Sequence, residues 1–240
     1  MLIGEDYPKI KMELGSYLVY EPNVFITDLM MSFVCFLFAY YIFKSFDYKK
    51  EFSNWWFYFF LLFGFSSLAG GFGHAFFYYW GPEGKSLCWI SSLIAIYFIE
   101  RAMISCLTEK KWKSTFVFVS KIKLISLIAY LGWMLVSFSS EQLNINGFIP
   151  VAYNTIASLI LSAGLLGGYL SKKMNANYKW FLFGVFMMFP AAIIFLMKIS
   201  FFRWFDKNDL SHLFITFGFI MFYKGIKLID LENKTSKSVI

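Results

Sequence analysis

Apolar residues run in long unbroken blocks along the chain, with charges crowded between them. Seven blocks reach the roughly 20 residues that an α-helix needs to cross about 30 Å of hydrocarbon: 23–43, 55–80, 86–107, 115–138, 148–170, 178–200 and 208–229. A segment of that length satisfies its own backbone in lipid only as a helix. The pattern therefore predicts an all-α fold, a polytopic bundle of seven transmembrane helices over 23–229. A short tail, 1–22, precedes it and another, 230–240, follows. The Gly81-Pro82-Glu83-Gly84 sequence marks a sharp turn between the second and third helices. Pro190 predicts a kink in the sixth.

Composition agrees. Of 240 residues, 59% are hydrophobic, 23% are aromatic and only 15% are charged, against about 25% charged in soluble domains. A soluble globule, a disordered chain and a disulfide scaffold are excluded. Cys35, Cys88 and Cys106 lie apart in apolar stretches, without metal-ligand spacing, and read as packed thiols. The net charge of +7 rests almost wholly on lysine and does not indicate nucleic acid. It orients the chain instead: 16 Lys and Arg fall on the side of the C-terminus and 6 on the other. The positive-inside rule then places the N-terminus outside and the C-terminus in the cytoplasm, in a plasma membrane or bacterial inner membrane. Tryptophans are expected to form belts, with Trp55, Trp56, Trp112 and Trp180 at the inner border and Trp80, Trp89 and Trp204 at the outer. Trp133 alone falls within a span.

Ionisable groups inside apolar blocks cost several kcal/mol unless paired or hydrated, roughly 2.5–3.5 on the insertion scale, so each needs a reason. His74 ends the run Ser66-Ser67-Leu68-Ala69-Gly70-Gly71-Phe72-Gly73-His74. Ser66, Gly70 and His74 share one helix face, a small-residue stripe that lets a neighbour approach. His212 follows Asp209 by three residues, close enough for the imidazole to donate to that carboxylate. With the predicted topology, both histidines, Asp28, Asp209 and Glu83 occupy one layer near the outer face. Two histidines and a carboxylate form a catalytic zinc pattern; two histidines bonded between helices are the other reading. Glu100-Arg101 is either an inner charge for a partner or a pair of structural charges. In the second case Arg101 snorkels and Glu100 meets a basic residue of another helix. Lys121 and Lys123 are expected to snorkel to the inner face. Gly164 and Gly168 form a GxxxG pair that fits either a homodimer face or close packing inside the bundle.

The layout resembles the seven-helix superfamily of alkaline ceramidases and adiponectin/progestin-type receptors. The points of likeness are a serine and a histidine late in helix 2 and a histidine early in helix 7. The resemblance implies a zinc ion held by His74 and His212, with Asp209, Asp28 or Glu83 completing the shell. It also implies that Ser66 or Ser67 supports the transition state as a metal-bound water hydrolyses a lipid amide or ester. The chain departs from the family motif at Gly70, where the family has serine, and at Thr216, where it has a second histidine. The alternative is a non-enzymatic sensor, ligand-binding or assembly protein that takes a lipid-like ligand in the same layer or only packs there.

Overall fold

The structure, a computed structural model, describes residues 7–45 and 50–238. Seven helices are long and apolar enough to cross a membrane: α1 (Pro22–Ser45), α2 (Glu51–Ala75), α3 (Ser86–Ser105), α4 (Lys110–Ser137), α5 (Ser140–Lys173), α6 (Lys179–Met197) and α7 (Lys207–Ser238). The all-α architecture read from the apolar blocks is the one observed. Lys49, one of the charges used for orientation, lies outside the described residues.

Several details differ from the sequence reading. The N-terminal tail carries a hairpin, β1 (Lys11–Leu14) with β2 (Tyr17–Tyr20), turning at Gly15, whose φ of +61° glycine adopts without strain. Arg203, in the α6–α7 loop, donates to the carbonyls of Pro8 and Lys9 and fastens this hairpin over one end of the bundle. α2 stops at Ala75, and the chain then makes a short turn, Phe77–Trp80, and a 3-10 turn, Pro82–Lys85. Hydropathy ran the helix on to residue 80 because Phe77, Tyr78, Tyr79 and Trp80 are apolar. α5 is built of Ser140–Asn146, Ile149–Ser158, a π-helical stretch Leu159–Leu166, and Gly167–Lys173. Ser139 and Gln142 cap its start reciprocally. α7 continues in helix through 230–238, which the sequence reading left as a tail.

The core is aromatic. Trp56, Phe59, Phe60, Phe181, Phe219 and Phe222 are fully buried where α2, α6 and α7 meet. α6 and α7 cross at Gly184 and Gly218; a Cβ on Gly184 would lie 2.4 Å from the Phe222 ring and 3.0 Å from the Gly218 carbonyl oxygen. Gly164 and Gly168 face Val185 and Leu182 of α6, with 3.7 Å left for a Cβ at each. That surface of α5 is thus used inside the bundle. Trp56 and Trp89 depart from the expected belts: both are buried, Trp56 in the main core and Trp89 in a second cluster with Leu93, Leu131, Met134, Leu143 and Val151.

α4 stands apart. It packs mainly on α3, and its only buried residues are Ser120, Leu131 and Met134. Lys123 on this helix does not snorkel. It pairs with Glu100 of α3, which also accepts from Ser120, and it donates to Ser158 of α5 at 2.6 Å. Arg101 turns away to Glu51, at 3.3 Å, and lies over the Trp55 ring.

Candidate functional site: a polar-ended cavity

A cavity of about 480 Å³ opens at the hairpin end between α1, α2, α3, α5, α6 and α7. Helix register sets its gradient. α1 and α7 start at this end and α2 finishes there, so Glu21, Asp28, His74, Lys85, Asn208 and His212 line its mouth. Met31, Phe63, Ile215, Phe219 and Met188 line its depth. Ser66, Ser67, Cys88 and Ser92 lie between these levels.

His74 sits in a charged cluster. Its Nδ1 is 2.8 Å from Glu21 Oε2 and 3.3 Å from Lys85 Nζ, and Lys9 reaches the same Glu21 oxygen at 3.0 Å. Glu21 joins the hairpin to α1 with φ 44°, in the left-handed region. A non-glycine residue there costs on the order of 1–3 kcal/mol. Its N–H donates to the Ile10 carbonyl and its side chain holds Lys9 and His74, which fixes the turn. Burial alone would raise the Glu21 carboxyl; His74, Lys9 and Lys85 outweigh it and hold the group well below the usual carboxylate range. A depressed carboxylate contributes stability that is complete above its unfolded value, about 4.3, and is lost as pH falls toward its folded value. The thermal midpoint should therefore decline from about pH 4.5 downward. Glu21→Gln should start lower and lose this part of the acid slope, which a melting series from pH 7 to pH 3 would check.

His212 is held differently from the sequence reading. Asp209 does not accept from it. Asp209 is fully buried and takes the Asn23 amide at 2.7 Å, the Thr27 hydroxyl at 3.1 Å and the Asp206 N–H at 2.9 Å. The Thr27 oxygen lies between the two, 3.0 Å from His212 Nδ1. With the Thr27 proton donated to Asp209, His212 carries its hydrogen on Nδ1 and turns the Nε2 lone pair toward Asp28 Oδ1, 3.7 Å away. Thr216, at the family's second histidine position, donates to the His212 carbonyl.

The other nominated residues divide. Ser66 donates to the Cys88 carbonyl and shares a bond with Ser92, stitching α2 to α3; Ser67 donates to the Phe63 carbonyl on its own helix. Both line the cavity. Glu83 does not: it is exposed and accepts from Ser140 at the start of α5. The cavity thus brings together Asp28, Ser66, Ser67, His74 and His212, with Asp209 behind His212.

Among the described residues no three His, Cys, Asp or Glu side chains gather as a ligand set. Nδ1 of His74 meets Glu21 and Nδ1 of His212 meets Thr27, which leaves Nε2 as the nitrogen that each could offer a metal. Glu21, Thr27 and Lys85 are the residues of this site that the sequence reading passed over. Glu21 and Lys85 fall next to water-facing segments, where charge is ordinary. Thr27, one residue before Asp28 near the start of an apolar block, was the one detectable signal.

Fold and cavity together define a class, a seven-helix bundle of membrane-protein type with a polar-mouthed internal cavity. Within that class, the chain belongs to DUF6962, a family of unknown function, whose model matches residues 23–231. No curated protein and no solved structure matches it.

Proposed function

We propose that this protein is a multi-pass membrane protein, with its hairpin end outside and its C-terminus in the cytoplasm, that holds an amphiphilic, lipid-like molecule in the hairpin-end cavity. The observation that carries the reading is the gradient along the cavity, ionisable at the mouth and apolar in depth. A volume of about 480 Å³ falls within the range of small-molecule sites, roughly 300–1,000 Å³. The excess of lysines at the other end supports the orientation. With it, the cavity mouth stands at the level of outer-leaflet headgroups and the apolar depth beside the acyl chains.

Extraction of the full chain purified in nanodiscs, followed by mass spectrometry, should recover an amphiphile in near-stoichiometric amount. Ala192 of α6 lines the cavity, and Ala192→Phe should lower the yield about fivefold or more, with the fold retained by circular dichroism. Equal recovery from Ala192→Phe and wild type would show that the lipid is annular and would sink the reading.

A second reading, hydrolysis of an amide or ester of the bound amphiphile, has one observation in its favour: the Thr27–Asp209 support that fixes His212 beside Asp28 at the cavity wall. A fixed imidazole next to a carboxylate is a general-base arrangement. Turnover of long-chain p-nitrophenyl esters and N-acyl amides by wild type and by His212→Ala, beside zinc content, decides it. Activity that is no higher in wild type than in His212→Ala would retire it.

A further inference from the structure

Asp28 is the carboxylate at the cavity whose bonding is left open. It is 4% exposed and lines the cavity. Its neighbours have partners: Glu21 is held by Lys9 and His74, and Asp209 by Asn23, Thr27 and the Asp206 N–H. Asp28 accepts no hydrogen bond from the described residues. His212 Nε2 lies 3.7 Å from its Oδ1, beyond hydrogen-bond reach in either tautomer. Nor is the carboxylate there to fasten helices. It lies against the glycines of α2, where a Cβ on Gly70 would come 3.6 Å from Asp28 Oδ2 and one on Gly71 would come 3.1 Å from Asp28 Cβ. Backbone without side chains thus makes room for it and offers it no donor. A buried carboxylate with no donor is costly, and this one faces a cavity through which a donor could reach it.

We infer that the cavity's ligand carries a protonated amine at its polar end, and that Asp28 binds this ammonium. The inference rests on the cavity reading above and adds the chemistry of the head. An ammonium brings a unit positive charge and up to three N–H donors, which match a two-oxygen acceptor facing the cavity. A ligand with an anionic head alone would instead place like charge against Asp28. The acyl-like remainder lies along Met31, Phe63 and Phe219.

The test uses the full chain in maltoside micelles, titrated with dodecylamine, dodecanol and propylamine, with the thermal midpoint as readout, for wild type and Asp28→Asn. The expected result is that dodecylamine stabilises wild type at roughly tenfold lower concentration than dodecanol, the scale of one charge-assisted bond, and that Asp28→Asn removes the difference. Equal effects of dodecylamine and dodecanol on wild type would overturn the ammonium assignment and leave the cavity reading standing. No effect of either would overturn both. Propylamine acting as strongly as dodecylamine would uphold the ammonium at Asp28 and overturn the amphiphile, making the ligand a small free amine. Should Asp28→Asn fail to fold, the amine-to-alcohol comparison on wild type decides the matter by itself.

Discussion

Glu100→Leu should destabilise the bundle by about 3 kcal/mol, the loss concentrated in α4. Without Glu100, Lys123 keeps only Ser158 as a partner, in the middle of an apolar helix. An unpaired lysine at such a depth costs roughly 2.5–3.5 kcal/mol on the insertion scale, and breaking a buried pair from one side costs about 3–5 kcal/mol in soluble proteins. The other ties of α4 lie toward its two ends: Lys113 reaches Glu51 and the Ser105 carbonyl, and Leu131 and Met134 are buried with half-buried Leu124, Leu127, Ile128 and Leu135 around them, while Ser120 bonds the same carboxylate. Lys123→Met should be harmful for the converse reason, since it strips Glu100 of its cation. The double variant Glu100→Leu with Lys123→Met removes both charges together and should recover most of the loss, because two apolar side chains of similar volume replace the pair. Unfolding in graded detergent mixtures, run as a double-mutant cycle, gives the coupling. Strictly additive single losses would mean that the two charges are independent and that α4 is held some other way.

Seven helices long and apolar enough to cross a membrane were legible because block length and hydropathy answer one question, whether a segment can satisfy its backbone in lipid. The break after Ala75 was not, since a turn made of Phe77, Tyr78, Tyr79 and Trp80 is as apolar as the helix it ends. At the site, Asp28, His74 and His212 stood out as charges inside apolar blocks, and their common depth followed from topology. Which atoms meet did not follow. Asp209 and His212 are three residues apart on one helix, yet Thr27 of α1, 182 residues from Asp209, supplies the contact between them. Glu21 and Lys85 stayed hidden because a charge beside a loop needs no explanation until the hairpin folds back over it. Lys123 misled for a related reason: sequence gives depth along a helix but not the face that a neighbour covers, and Lys123 faces Glu100.

Trp56 poses the same problem of face, and its replacement should cost as much as the Glu100 change. Sequence position puts it beside Trp55 near a helix start, where an interfacial ring is expected. The structure buries it completely, stacked on Phe181 at 5.1 Å and 12° and touching Phe59 and Phe222. Its indole Nε1 is buried and has no hydrogen-bond partner among the described residues, so packing rather than polar anchoring holds it there. Apolar transfer from water drives little between membrane helices, and close packing does the joining. Trp56→Ala should then cost about 3–5 kcal/mol, the usual loss for an emptied aromatic site, and should loosen α2 from α6 and α7 together. Trp56→Phe should cost about 1 kcal/mol: it keeps most of the stacking area and removes an N–H that nothing accepts. Detergent unfolding of the two variants separates packing from interfacial anchoring. An anchoring ring would make Trp56→Phe and Trp56→Ala nearly equal and small; a core ring makes them differ severalfold. Phe222 couples this core to the crossing of α6 and α7, because the Gly184 position admits its ring only without a Cβ. Loss of Trp56 should therefore also slacken the α6 and α7 walls of the cavity, to which Met188 and Phe219 belong. Ligand recovery from Trp56→Ala should fall along with its stability, while Trp56→Phe should keep wild-type recovery.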